Sequence, residues 1–243
     1  MEQMVRCGTY NDRLHICGEM KLKSPFHKNL FLMKRIFSII ISLIFGCTLL
    51  SATTLPASTQ REVIAKINKA ASGLRSMSCS FEQTKHLSLL SDKMVSEGKM
   101  TYSRPDKLRW EYTTPYRYLF IFNGTKVYVG NKSRKDVIDT GSNKLFKEVA
   151  RLMMSTVTGT ALSNPADFST SVTDSGSKWE VTLKPKKKEM RSMFSKIILS
   201  FSKSDLMISE ITIHEKNNDR TNIRLKNISS NTPVNETLFA IPK

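Results

Sequence analysis

The stretch YSRPDKLRWEYTTP, residues 102–115, alternates from Leu108 onward, with Leu108, Trp110 and Tyr112 on one side and Arg109, Glu111 and Thr113 on the other. A period of two is the signature of a strand buried on one face. The same parity, carried back across Pro105, reaches Arg104 and then Tyr102 and Met100. A cation therefore stands at the edge of an apolar face, where its charge is costly to bury without partners.

Working outward, strand signals dominate the chain. They predict strands over 78–84, 94–103, 107–113, 117–123, 125–130 and 134–140, with Asn123-Gly124 as a hairpin signal. Later strands are predicted over 168–174, 178–184, 194–201, 206–214 and 221–228. These alternate cleanly. Trp179, Val181 and Leu183 oppose Lys178, Glu180 and Thr182; Ile197, Leu199 and Phe201 share parity with Met193; Met207, Ile211 and Ile213 oppose Glu210, Thr212 and His214. Short successive strands with tight connections imply an antiparallel sheet, wet on one side and apolar on the other. KPKKKEMR, residues 184–191, reads as a basic loop between two of them.

Two helices interrupt the pattern. Thr59 can cap one that runs to about Leu74, with Val63, Ile64, Ile67 and Ala71 on one stripe. In NKLFKEVARLMMST, residues 143–156, Leu145, Val149, Leu152 and Met153 share a face. Ser163 can cap a further short turn with Pro165 inside it. About eleven strands are too many for a flat sheet, so this mainly β chain should curl, and only two substantial helices are available to cover its apolar face. Two readings of that face remain open. Either the helices and large inward side chains close an ordinary core, or the apolar wall exceeds what two helices can fill and leaves a cavity.

The run KRIFSIIISLIFGCTLLSATTLPAS has Lys34 and Arg35, then an uncharged apolar stretch, then small residues. That is the layout of a signal peptide over residues 33–57, cleaved between Ala52 and Ala57. An uncleaved anchor or a lipid on Cys47 are the alternatives. Residues 1–32 fit no signal and are expected to precede the true start at Met33. The exported domain, 58–243, is long enough for one sizeable core. The chain carries a net charge of +17; its first 52 residues hold seven Lys/Arg and three Asp/Glu, leaving 31 and 18, or +13. Such a charge speaks of attraction to anionic membrane surfaces or acidic partners. Export leaves Cys79 without a disulfide partner, and a lone strand cysteine packs as a small hydrophobe.

No phosphate-binding glycine loop, zinc-spaced Cys/His set or nucleophile elbow is present. His86 and His214 are the histidines of the exported domain, one ending a strand and the other on a polar parity. Acidic residues are scattered, so no paired-carboxylate site is signalled. The reading is a non-enzyme with no cofactor and no metal. Aromatics and lysines lie on opposite parities, whereas a base-stacking groove needs both on one side, so nucleic acid is not expected as a partner.

SFEQTKHL, SEGKMTYSRPDKLRWEYTTP, LFIFNGTKVYV, VTLKPK and the closing TLFAIPK resemble, in order, the LolA-type carriers of outer-membrane lipoproteins. The spacing Gly98, Arg104-Pro105, Trp110, Pro115 carries most of the likeness; Ser103 stands where relatives can have a basic residue. The resemblance implies a curved, unclosed half-barrel of antiparallel strands covered by helices on its concave face, and a periplasmic monomer that shields the acyl chains of lipoproteins, loaded by an inner-membrane ABC-type complex and emptied onto an outer-membrane receptor. It reaches related folds that sense or carry other lipids, which leaves those alternatives open.

Under this resemblance Met100, Tyr102, Leu108, Trp110 and Tyr112 would line the cavity from the middle strands. Trp179, Ile197, Leu199, Phe201, Met207 and Ile211 would line it from the late strands, beneath Leu145, Val149, Leu152 and Met153. Arg104 takes the place of the family's lid arginine: its planar fork could bridge to the unpaired last carbonyls of a covering helix. The alternative is an exposed turn arginine before a proline.

Overall fold

The computed structural model describes residues 54–242, except 90, 91, 132, 143 and 164; side chains at 144–149, 161 and 163 are likewise outside the description, as are the extension and signal segment expected above. Helix α1 spans Ala57–Ser72, and six strands follow: β1 (Ser76–His86), β2 (Lys93–Ser103), β3 (Lys107–Thr114), β4 (Tyr118–Asn123), β5 (Lys126–Gly130) and β6 (Lys135–Asp139). Helix α2 (Lys144–Thr158) and a 3-10 turn (Thr160–Ser163) lead to β7 (Phe168–Ser175) and β8 (Lys178–Pro185). A short helix α3 (Lys188–Met193), β9 (Phe194–Ser202), β10 (Ile208–Glu215) and β11 (Arg220–Ser230) complete the sheet.

All eleven strands form one antiparallel sheet in the order β6-β5-β4-β3-β2-β1-β11-β10-β9-β8-β7. It is two meanders sewn together by β1 and β11, whose pairing runs from Met77↔Ser230 to His86↔Arg220. β6 and β7 are the end strands and do not pair with each other, so the sheet is not closed; Thr54 bridges to Thr173 of β7, and the Leu55 N–H donates to the Val172 carbonyl. The segment that joins the two end strands is α2. A connection between opposite edges of a curled sheet has to cross its open mouth, and that geometry makes α2 a lid.

The alternation expected from the sequence is what the strands bury. On β3 Leu108 and Trp110 are buried, on β8 Val181 and Leu183, on β9 Ile197, Leu199 and Phe201. At Asn123-Gly124 the hairpin forms with Asn123 paired to Lys126, so Gly124 (φ 72°) and Thr125 make the two-residue turn. The positive φ falls on the first central residue, which is the glycine-favouring position of a type II′ turn.

Three local expectations are corrected. Helix α1 begins at Ala57 behind Pro56, with no side-chain cap, because proline's fixed φ already suits a helix start. Strand β10 begins at Ile208, since Leu206 turns the chain with φ 59° and leaves Met207 ahead of it. The basic loop after β8 contains α3, which is stable because it buries Met190 beneath its charged face.

Gly98 shows why the motif needs that residue. It lies opposite Phe81 on β1 and Tyr112 on β3. A Cβ there would stand 2.0 Å from the Glu111 carbonyl and 2.5 Å from the Phe81 ring. Without it the Phe81 ring crosses β2 and meets Trp110 at 4.5 Å and Tyr112 edge-on at 5.2 Å. Cys79 is buried, and burial pushes its thiol up to about 12, so it is inert at physiological pH. The C-terminal segment folds back over the convex side of β3–β5. There Phe239 packs with Ile121 and Tyr128, while the Phe239 carbonyl accepts from Asn123.

Gly98→Ala is expected to destabilise the fold by about 1–3 kcal/mol through overpacking. Denaturant unfolding would check this, and an unchanged midpoint would contradict the close approach of Phe81.

Candidate functional site

Beneath α2 lies a hollow of about 240 Å³ lined by residues from six elements. Leu152, Met153, Thr156 and Val157 descend from α2; Trp110 and Tyr112 rise from β3, and Phe194 and Ile197 from β9. Ile211, Ile213, Thr221, Ile223 and Gln83 form the wall between them, on β10, β11 and β1. Strands β3 and β9 are five positions apart, about 24 Å across a flat sheet at ~4.8 Å per strand. That both reach one small hollow shows how tightly the sheet curls.

The polar groups in this lining are few: Tyr112 and Gln83, two threonines, and the Trp110 indole N–H, which is buried without a hydrogen-bond partner among the described residues. The Tyr112 hydroxyl donates to Gln83 Oε1 at 2.9 Å, and burial pushes the phenol above its ordinary value, keeping it protonated. No Asp, Glu, His, Lys or Arg lines the hollow. Acid–base work needs a titratable side chain within hydrogen-bond reach of a substrate, and this lining has only the phenol. It offers dispersion and hydrophobic contact, with pliable Met153 and flat rings suited to flexible chains.

The expected lining residues divide. Trp110, Tyr112, Leu152, Met153, Ile197 and Ile211 face the hollow. Met100, Tyr102, Leu108, Leu199 and Phe201 do not; they are at most 2 % exposed, in a continuous core with Val63 and Ile67 of α1. The reason is that α1 fills its end of the concave face completely, and only the end under α2 stays open. Trp179 and Met207 are half-buried on the margin, and the Lys203 ammonium lies 4.0 Å from the Trp179 ring centre. Leu145 and Val149 lie on α2, with side chains outside the description. Sequence reasoning missed Gln83, Thr156, Val157, Phe194, Ile213, Thr221 and Ile223 as lining. Ile213 was on the apolar parity already read, whereas nothing local marks which inward residues a helix leaves uncovered.

Arg104 stands at the turn between β2 and β3. Its guanidinium is exposed, and Nη2 donates to the carbonyl of Ser72, the last residue of α1, at 3.0 Å. It also borders a groove of about 240 Å³ whose other wall is Arg151, Met154, Ser155 and Thr158 of α2. Exposure corrects the expectation of a cation pressed against apolar wall: its desolvation cost is small.

A second polar contact pins α2. Asp167, just before β7, is buried and accepts from Arg151 of α2 at 2.6 Å and from Lys187 at 2.9 Å. Burial pushes its carboxyl up, but the hydrogen bonds from Lys187 and Arg151 outweigh this and hold it below the ordinary range. A larger depression of about 680 Å³ on the β5–β6 edge is walled by Arg134, Lys135 and Asp136 and does not communicate with these residues. Among the described residues no helix is long and apolar enough to cross a membrane, and no three His, Cys, Asp or Glu side chains are grouped to hold a metal.

Residues 72–242 match the family model described as outer membrane lipoprotein carrier protein LolA. The chain belongs to the LolA family. An outer-membrane lipoprotein carrier protein of Chromobacterium violaceum is 25% identical over 195 residues, covering 79% of this chain and 90% of the relative. One from Pseudomonas fluorescens is 23% identical, covering 80% and 91%. Among solved structures, a LolA superfamily protein from Nitrosomonas europaea is 7% identical, covers 74% of this chain and 97% of its own, and has a TM-score of 0.40. The LolA-family sheet accounts for the order in which the quoted motifs occur: each belongs to a strand or turn of the curled sheet or, for the last, to the segment that covers it.

Asp167→Asn tests the second contact. A carboxyl held low stabilises the fold above its unfolded value near pH 4, and the gain is lost as pH falls through the folded value. The variant is expected to be less stable than wild type by about 1–3 kcal/mol at pH 7, with the gap closing toward pH 3. Equal stability at neutral pH would show the contact to be idle.

Proposed function

We propose that this LolA-family chain is a periplasmic carrier that takes the acyl chains of lipoproteins into the hollow beneath α2 and escorts them from the inner to the outer membrane. The observation that carries this is the hollow itself: apolar on every side, uncharged, and roofed by the one helix that joins the end strands of the sheet. The curated relatives bear the same function in their names. Loading by an inner-membrane ABC-type complex, handover to an outer-membrane receptor, action as a monomer and export through the signal segment belong to this reading. Binding and release without bond chemistry agree with a lining that has no acid–base group.

At about 240 Å³ the hollow is smaller than the ~300–1,000 Å³ of ordinary ligand sites, so on this reading it has to widen to take a long acyl chain. A long acyl chain entering it gains on the order of 10 kcal/mol, at roughly 0.8 kcal/mol per methylene. Part of that must move α2 outward. Arg104 biases the balance through α1: its bond holds the end of that helix, whose Ile67 and Ala71 flank Gly159 at the end of α2, and as an exposed hydrogen bond it contributes only about 0.5–1.5 kcal/mol. A device of that size tunes loading without blocking it.

Arg104→Leu is expected to stay folded and to raise the ratio of loaded to empty protein by about two- to ten-fold, read as lipoprotein co-purified from the envelope. Equal loading of variant and wild type would remove the latch from the account. Native mass spectrometry of protein extracted from the envelope is expected to find triacylated peptides bound. Free phospholipid in their place would make the chain a carrier of another lipid.

A further inference from the structure

The convex face of the sheet carries a feature that the hollow does not explain. At one end of the sheet, strand register sets five residues side by side across five adjacent strands. His86 pairs with Lys93 of β2 and with Arg220 of β11; Arg220 pairs with His214 of β10; His214 pairs with Lys196 of β9. Directly opposed residues share a face. Their neighbours Ile213, Thr221 and Ile197 line the hollow, so alternation turns His214, Arg220 and Lys196 outward. The row Lys93–His86–Arg220–His214–Lys196 thus runs along the rim of the hollow, about 19 Å long at ~4.8 Å per strand.

Among the described residues Lys93, Lys196 and Arg220 form no ion pair, although Asp92 precedes Lys93 in the chain, and Arg220 Nη2 lies 3.5 Å from His86 Nε2. Glu215 and Asp219 are engaged elsewhere: they face Lys85 at 3.1 and 3.9 Å, and Asp219 also accepts from Ser88. The next outward row is neutral: Val95, Thr84, Asn222, Thr212 and Ile198. Glu82 and Glu210 appear only four residues along the strands, about 13 Å away and beyond the ~10 Å screening length. Its three cations alternate with two histidines, so protonating either histidine sets like charges directly opposite one another, which destabilises a sheet. Beyond it, at the tip of the β1–β2 hairpin, Leu89 is 95% exposed, and Val95 on β2 is half exposed. Basic side chains next to protruding apolar ones are the composition of an interfacial membrane contact.

We propose that this rim docks the protein on an anionic phospholipid bilayer, with Lys93, Arg220 and Lys196 over the headgroups and Leu89 entering the interface. The proposal rests on the carrier reading only for its purpose, since it would bring the open end of the hollow to the membrane from which acyl chains arrive. His86 and His214 make the contact sensitive to pH. Burial, then Arg220 and Lys93, hold His86 below its ordinary value; burial, then Lys196 and Arg220, do the same for His214. A depressed histidine is neutral at pH 7 and gains its charge as pH falls, and an anionic surface favours that gain. Docking therefore tightens toward acid.

The test is flotation of the exported protein with phosphatidylethanolamine vesicles, with and without phosphatidylglycerol. Binding is expected only with phosphatidylglycerol. Lys93→Glu, Lys196→Glu and Arg220→Glu together should weaken it by about 100-fold or more, at roughly five-fold per cation removed. Lys69→Glu, Arg75→Glu and Lys126→Glu, an equal change of charge at the opposite end of the sheet, should change it by less than about three-fold by the same measure. Equal loss in both variants would reduce the effect to net charge and overturn the site, as would retention in the first or no binding by wild type. Should circular dichroism show the first variant unfolded, Lys93→Gln and Lys196→Gln are read singly, each expected to cost a few-fold. His86→Gln with His214→Gln should abolish the tightening between about pH 8 and pH 5; an unchanged slope removes the histidines from the mechanism. Because the vesicles hold no lipoprotein, failure here leaves the cargo reading standing, and a failure to find acyl cargo leaves this result standing.

Discussion

An apolar face on eleven strands cannot be left in water, and the chain has little with which to cover it. Each strand contributes an inward row of two to four large side chains, and the sheet answers by curling until its own two halves face each other across the concave side. Burial of that face, at roughly 25 cal/mol per Å², is the largest favourable term available to the fold. Everything else follows from how the remaining gap is filled. α1 fills one end with Val63 and Ile67, down to a dry core. α2 lies over the other end and leaves a hollow beneath Leu152, Met153 and Val157.

The difference between the two ends is one of tethering. α1 is followed directly by β1, and its terminus is held by Arg104 on the Ser72 carbonyl and by Asn231 on the Gly73 carbonyl. α2 hangs between the two end strands of the sheet and is secured through polar contacts such as Arg151 to Asp167. Polar contacts near solvent are worth far less than a buried apolar face, so α2 is the part of the roof that can be displaced at modest cost. A carrier needs this kind of asymmetry, with one helix committed to stability and one available to cargo.

Much of the architecture was legible in the chain because strand parity is a local property. Leu108, Trp110, Val181, Leu183, Ile197 and Leu199 were assigned to the inner face from spacing alone, and they are buried there. The strand count followed from the same pattern. What misled was local as well: KPKKKEMR reads as a charged loop because its one anchoring residue, Met190, is a single apolar position in a basic stretch. Thr59 reads as a cap because nothing in sequence says that Pro56 already sets the helix start.

By itself the sequence determined which residues face inward and that the sheet is antiparallel. Only the tertiary structure decided which inward residues line a hollow and which are core. That depends on where α1 stops filling the concave face, and Met100 and Trp110 share one parity yet end on different sides of that boundary. It likewise decided that Lys93, His86, Arg220, His214 and Lys196 stand in one row. The five are scattered over more than a hundred positions of chain, and neighbours across strands are set by register, which pairing between distant segments alone can fix.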